Sequence, residues 1–308
     1  MIFITGITGI LGEALVEKNE GRRRLGGIYL GDYEMNGRDR VKYASADVLD
    51  LDRVSTIFKN DDIDCVIHAA GIADTDKCED EKYYKAAYAS NVGGTEKMLS
   101  FAKKLGAKFV YISTNAVFDG AKAPYTEIDT PNPINRYGAM KSECEKMVKQ
   151  NIKDYLIVRP ILMYGLNNPN ERMSFFTKII EKLEKGKKIN VVDDVFENPL
   201  LSYECGRLIW RLIDKDAFGI YHIAGKTILS RYEAARTIAR VFRLDEGLIN
   251  PVSSSFFKTI APRPKNTSYD TSKIESELGI EPLGFEDGLR LLKMRIENRE
   301  KVGEHERY

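Results

Sequence analysis

Residues 2–12 read Ile2-Phe3-Ile4-Thr5-Gly6-Ile7-Thr8-Gly9-Ile10-Leu11-Gly12. A short apolar run passes into glycines spaced three apart, and a helical pattern over 11–18 follows. Apolar residues without alternation mark a strand covered on both faces. Glycines at such a junction let the chain turn tightly, let backbone approach an anion and let helix pack on strand. The first N–H groups of the helix are then free for a pyrophosphate. The spacing is GxxGxxG rather than GxGxxG, and a glycine triplet alone also fits a plain turn. Its place between the first strand and the first helix is what points to a nucleotide.

The alternation continues outward from this stretch. Apolar runs at 27–30, 41–46, 64–69, 108–113 and 155–158 predict strands, and helical periodicity covers 51–59, 82–104 and 137–149. Strand–helix alternation gives a parallel sheet, and right-handed crossovers place helices on both faces. The predicted fold is α/β, a Rossmann-like doubly wound parallel sheet over 1–165. Leu166-Asn167-Asn168-Pro169-Asn170 then forms a turn-rich break. Helices dominate beyond it, near 173–184, 203–213, 231–243, 271–278 and 286–298, with short strands near 189–192, 219–223 and 249–252. A smaller C-terminal α+β domain, from 166–200 and 226–308, is expected to cap the sheet and bind the substrate, with 201–225 returning to the first layer. The charged end, 301–308, is expected to fray.

Composition narrows the function. The 308 residues carry 47 Lys and Arg against 46 Asp and Glu, a net charge of +1, with 43% hydrophobic residues and ten Pro. These values exclude a disordered or fibrous chain. They also lack the basic field of a nucleic-acid binder, and Arg22-Arg23-Arg24, Lys103-Lys104 and Lys187-Lys188 read as solvated faces. No apolar stretch is long enough to span a membrane, and the start lacks the basic flank of a signal peptide. Cys65, Cys78, Cys144 and Cys205 show no CxxC spacing and suit reduced thiols. A cytoplasmic protein is expected, with no nucleic-acid or membrane partner. His68, His222 and His305 share no metal-ligand spacing, so no metal is expected and packed roles are favoured. Asp193-Asp194 reads as a turn, and neither a P-loop lysine nor a GxSxG elbow is present.

Candidate nucleotide contacts follow each early strand. Asp32 is placed to accept from an adenosine ribose and repel a 2′-phosphate. Arg38 and Arg40 follow closely and could receive that phosphate, and Gly31 could hold the key register instead, so NAD and NADP both stay open. Asp47-Val48 could meet an adenine, or Asp47 could cap a helix. Ala69-Ala70-Gly71 could let backbone pass a cofactor, or simply turn.

Tyr137-Gly138-Ala139-Met140-Lys141 is YxxxK. Positions i and i+4 share a helix face, so the Lys141 ammonium is expected beside the Tyr137 phenol, lowering its pKa for proton transfer. Sixteen tyrosines in a lysine-rich chain give about one such pair by chance, so context carries the weight. A preceding strand ends in Ser113-Thr114, where a hydroxyl could hydrogen-bond the carbonyl oxygen that Tyr137 protonates.

Several motifs, in order, resemble the extended short-chain dehydrogenases/reductases: the 5–12 loop, Asp47-Val48, His68-Ala69-Ala70, Asn91, the 111–120 stretch, YxxxK and Arg159-Pro160. Asp76-Lys77-Cys78-Glu79, Val117-Phe118-Asp119-Gly120, Phe196-Glu197-Asn198-Pro199 and Arg263-Pro264-Lys265-Asn266-Thr267-Ser268 resemble its dTDP-4-dehydrorhamnose reductase branch. That branch also holds the regulatory β subunit of methionine adenosyltransferase. The resemblance implies a cofactor, NADP(H) or NAD(H), bound by Gly6, Thr8, Gly9, Ile10, Leu11, Gly12, Asp32, Asp47, Val48, Ala69, Ala70, Gly71, Asn91, Ser113, Tyr137, Lys141, Pro160 and Ile161. It implies a catalytic trio of Thr114, Tyr137 and Lys141, and a nucleotide-sugar substrate met by Asn115, Ala116, Asn198 and Arg263. Arg263 reads equally as a phosphate ligand or a surface salt bridge. Hydride from the nicotinamide and a proton from Tyr137 would reduce a nucleotide-activated 4-keto-6-deoxysugar. A homodimer through the two long helices, 82–104 and 137–149, is implied as well.

The departures matter too. The sugar-nucleotide 4,6-dehydratases of this superfamily place Asp-Glu after the catalytic Thr. Asn115-Ala116 offers no acid or base, which disfavours elimination. Rhamnose-pathway reductases usually carry Asp-Tyr there, Thr at the place of Ala73 and Trp at the place of Leu162. The lone Trp210 reads as core. The alternatives are a sugar-nucleotide C4 epimerase using NAD and a cofactor-binding regulatory subunit without catalysis.

Overall fold

Side chains alternate along a strand, so a fully buried strand must feed two separate cores. In the computed structural model, which describes residues 1–31, 38–166 and 174–303, six strands come first in chain order, and all but the half-buried third are almost wholly buried. They are β1 (Ile2–Thr5), β2 (Leu25–Tyr29), β3 (Val41–Ser45), β4 (Cys65–His68), β5 (Lys108–Ile112) and β6 (Tyr155–Pro160). A seventh strand, Gly219–Ile223, completes a parallel sheet in the order seventh-β6-β5-β4-β1-β2-β3. Ile2, Ile4 and Ile67 pack on one face with Leu15 of helix α1 (Ile10–Lys18) and with Ile209 and Trp210 of the Ser202–Asp214 helix. Phe3, Val66 and Phe109 pack on the other with Met98 and Phe101 of the Gly94–Leu105 helix and with Met140, Cys144 and Val148 of the Arg136–Asn151 helix. The doubly wound sheet is therefore as expected.

Two elements differ from expectation. β2 starts at Leu25, not 27, because Gly26 and Gly27 lack the side chains that would strike Phe58 and the Ile4 carbonyl. The single helix expected at 82–104 is Glu81–Tyr88, a widened π turn at Ala89–Gly93, and then Gly94–Leu105. The widening leaves the Asn91 carbonyl to accept from Thr95 Oγ1 at 2.6 Å and Cys144 Sγ at 3.5 Å.

A third cluster joins Tyr164, Phe176, Ile179, Leu183, Ile238, Phe285 and Leu289. Its short strands pair Ile189–Val192 with Ile249–Val252, and Phe196–Glu197 with Leu229–Ser230. The Arg231–Phe242 helix starts on a capping box of Ser230 and Glu233. Trp210 is core, donating from Nε1 to the Leu15 carbonyl at 2.9 Å. No helix among the described residues is long and apolar enough to cross a membrane. Chain direction across the sheet reverses at β1, between β2 and β4, so a crevice opens beyond the carboxyl ends of β1 and β4.

Candidate active site

The glycine loop fills that crevice edge. Gly6 has φ +67°, and a Cβ there would lie 3.0 Å from the Ala70 backbone. A Cβ on Gly12 would lie 2.3 Å from the Gly6 carbonyl oxygen. Gly9 is the N-cap of α1 and makes no side-chain cap, which leaves first-turn amides for an anion. The cradle is thus one that side chains would fill, and it fits a pyrophosphate. Thr8, Leu11 and Gly12 are buried and Ile10 half-buried around it. Thr5 Oγ1 accepts from the Ala70 N–H at 3.0 Å and meets His68 Nδ1 at 2.8 Å, which ties β1 to the Ala69-Ala70-Gly71 turn. Asn91 fixes the end of that turn by bonding both Ile72 N–H, at 2.7 Å, and Ile72 carbonyl, at 3.1 Å.

Asp32 lies outside the described residues. Arg38 donates to Glu13 Oε2 at 2.8 Å and Arg40 to the Gly21 carbonyl at 3.0 Å. Exposed Asp47 accepts from its own turn, at Leu49 N–H, while buried Val48 covers Gly94.

The chemical centre forms where a helix start meets a strand end. Asn135 caps the Arg136–Asn151 helix by accepting from Gly138 N–H at 2.8 Å. Gly138 lets that first turn press on Ala116, whose carbonyl would lie 2.0 Å from an added Cβ. Tyr137 is thereby set against Thr114. Burial pushes the Tyr137 phenol up to about 12, and the Thr114 hydroxyl pulls the other way. The expected depression by Lys141 does not form. The Lys141 ammonium donates instead to the Ile112 carbonyl at 2.8 Å and lies 4.8 Å from the Tyr111 ring centroid, and burial lowers its own pKa.

Behind the trio runs a buried row that the motifs did not reveal. Ser113 donates to Glu145 Oε1 at 2.6 Å, and Arg159 donates to both Glu145 oxygens at 2.8 and 2.7 Å. Arg159 also meets His222, which contacts the Tyr125 carbonyl and stacks on Tyr269. Both described histidines therefore have packed roles. Pro160 and Ile161 follow, buried.

The expected substrate contacts separate. Asn115 faces the third cluster, donating to Glu197 Oε1 at 3.2 Å and Thr267 Oγ1 at 2.7 Å. Ala116 offers its backbone to the helix. Asn198 does not face the crevice: it is 1% exposed, and its amide is spent on the Tyr269 N–H and carbonyl. Arg263 takes the salt-bridge alternative, pairing with Asp76 at 2.9 Å and bonding Thr75. Asp194 binds Ser254 and Lys265, and no metal-holding group of side chains occurs among the described residues. Glu197, Arg231 and Thr267 complete a hydrogen-bonded row around Asn115, at which only the sequence motifs around positions 197 and 267 hinted. An open hollow of about 760 Å³ near Lys103, Lys149, Tyr155 and Phe218 lies at the opposite, amino end of the strands.

Fold, glycine cradle and YxxxK helix together define a nucleotide-binding α/β protein of the short-chain dehydrogenase/reductase type. Within that class, the chain belongs to the family described as RmlD substrate binding domain, which matches residues 1–297. It is 31% identical over 285 residues to methionine adenosyltransferase 2 subunit beta of Rattus norvegicus, covering 91% of this chain and 82% of that one. It is 26% identical over 309 residues to dTDP-4-dehydrorhamnose reductase of Aggregatibacter actinomycetemcomitans, covering 96% and 99%. The crystal structure of dTDP-4-dehydrorhamnose reductase from Bacillus anthracis in complex with NADP matches with a TM-score of 0.82 at 27% identity, covering 96% and 98%.

Proposed function

We propose that the protein is an NADP(H)- or NAD(H)-dependent reductase of a nucleotide-activated 4-keto-6-deoxysugar, similar to dTDP-4-dehydrorhamnose reductase. One observation carries the reading: Thr114, Tyr137 and Lys141 lie at the carboxyl edge of the sheet that also holds the glycine cradle, in a chain of this family. In this proposal Gly6, Gly9 and Gly12 hold the pyrophosphate through backbone amides, and Lys141 meets the nicotinamide ribose. The nicotinamide, when bound, supplies the hydride. Thr114 orients the keto oxygen and Tyr137 protonates it as negative charge develops there. A phenol pushed up to about 12 is protonated at neutral pH, which suits a proton donor. The two-domain division and a homodimer belong to the same proposal. Exposed Tyr83 and Tyr88 on the Glu81–Tyr88 helix suit a helix-lined interface.

The test is NADPH and NADH oxidation with a panel of 4-keto-6-deoxy sugar nucleotides. Turnover is expected, and Tyr137→Phe should lower kcat roughly 10²–10⁴-fold. A second reading, a cofactor-binding regulatory subunit, is favoured by the 31% identity to methionine adenosyltransferase 2 subunit beta. Silence across the panel, with retained cofactor binding and a stable complex with a methionine adenosyltransferase, would establish it instead.

A further inference from the structure

The Asn115 amide has neighbours of opposite polarity. Its Nδ2 donates to Glu197 Oε1 and Thr267 Oγ1, while its Oδ1 accepts from Thr114 Oγ1 at 3.3 Å. A carboxylate can only accept, so Glu197 decides which end of the amide faces it. The second oxygen of Glu197 accepts from Arg231 at 3.1 Å, and Glu197 is only 7% exposed. The antiparallel pairing of Phe196–Glu197 with Leu229–Ser230 places Arg231 there, as the next residue in the chain. Every donor in this row points towards Glu197: Thr114 to Asn115, Asn115 to Glu197, Arg231 to Glu197.

In the substrate-free site Thr114 has one hydroxyl proton and two claimants for it, Asn115 Oδ1 and Tyr137. While that proton lies on Asn115 Oδ1, the Thr114 oxygen accepts from the Ala116 N–H at 3.2 Å and has no proton to give Tyr137, whose pKa a hydrogen bond from Thr114 lowers. An ionised Tyr137 would have to draw the proton away from Asn115. We propose that Glu197 is a positioning residue that, by holding the Asn115 amide, keeps the Thr114 proton off Tyr137 and so keeps Tyr137 the proton donor of the site. The catalytic meaning rests on the reductase reading; the hydrogen-bond polarity does not. Other groups facing Tyr137 are Cys78 from the Thr75–Glu79 helix and Tyr111 from β5, with Lys141 one turn along its own helix. Those facing Glu197 are Arg231 and Tyr269.

The polarity is tested without turnover, by NMR of the full cofactor-free chain carrying ring-labelled tyrosine. The Tyr137 signal is assigned by its loss in Tyr137→Phe. Wild-type Tyr137 should stay protonated to about pH 11. Glu197→Gln, whose amide can release Asn115 to turn, should lower the Tyr137 pKa by about one unit. Asn115→Ala leaves the Glu197–Arg231 pair intact but removes the acceptor, and should produce the same shift, with no further shift in the double variant. An unchanged Tyr137 titration in the folded variants overturns the proposal; if Glu197→Gln does not fold, Asn115→Ala decides. The shift without turnover of any sugar nucleotide would sink the reductase reading alone. Turnover without the shift would sink the role of Glu197 alone.

Discussion

A methyl group on Gly12 would have to share space with the Gly6 carbonyl oxygen, 2.3 Å away, and the Ile7 carbonyl oxygen, 2.4 Å away. Both are main-chain atoms of one turn, so no rotamer change relieves the clash. Gly12→Ala should therefore cost about 1–3 kcal/mol of stability. It should also weaken NADPH binding about tenfold or more, because the first amides of α1 move with the loop. Gly21 supplies the control: its φ is +68°, but an added Cβ meets nothing within 4 Å. Gly21→Ala should cost stability through backbone strain and leave binding unchanged. Urea unfolding and fluorescence titration measure both, and equal binding losses in the two variants would argue against the cradle. The close packing at Gly12 and the shared helix of Tyr137 and Lys141 were legible because they follow from local spacing. Asn198 and Glu197 were not, because their partners lie 71 and 82 residues away. A side chain's hydrogen-bond partner at that separation is set by tertiary pairing, which no local pattern encodes.

Between elements, the Glu145–Arg159 pair fixes how the Arg136–Asn151 helix sits on the sheet. Both side chains are 1% exposed, and Ser113, next to Thr114, donates to the same carboxylate. Deleting one partner strands a buried charge, so Glu145→Ala should cost about 3–5 kcal/mol. Replacing both residues by methionine should recover most of that loss, because the desolvation of both charges disappears together. Denaturant titration of the single and double variants checks this; a double variant no more stable than Glu145→Ala would show that the pair is not the source of the cost. Most strands of this layer were legible from apolar runs, since both faces of the sheet are covered there; β3, with Lys42 and half-buried throughout, is the exception. The π turn at Ala89–Gly93 was not, because its cause is the reach of Thr95 and Cys144 for one carbonyl rather than any propensity of the segment.

At the scale of the whole molecule, the two described histidines tie distant parts of the sheet to pH. His68 ends β4 and His222 lies in the seventh strand, and burial pulls each from the ordinary 6.5 down to about 3. Lys141 adds to the depression of His68, and Arg159 to that of His222. Both rings are neutral in the fold, while the unfolded chain takes up protons as pH falls through 6.5. Unfolding is therefore coupled to uptake of up to two protons between those limits, and stability must fall as pH is lowered. Each histidine contributes up to about 1.4 kcal/mol per pH unit in that window. Asp119 and Asp194, both held at about 2 by hydrogen bonds, act with the same sign but only below the ordinary carboxylate range. Glu127, raised by burial, opposes them. From about pH 6.5 to pH 5 the two histidines therefore lower stability as pH falls, with Glu127 acting in the opposite direction. Urea titrations across it should show the unfolding free energy falling with pH, with the slope about halved in a folded His222→Asn variant. His68 bonds Thr5 beside the glycine cradle, and His222 meets Arg159 behind the Arg136–Asn151 helix. Because both rings stay neutral in the native fold, acid should lower stability across this interval without itself altering the site, and a free energy flat from neutral pH to about pH 5 would mean that the rings are protonated in the native fold as readily as in the unfolded chain.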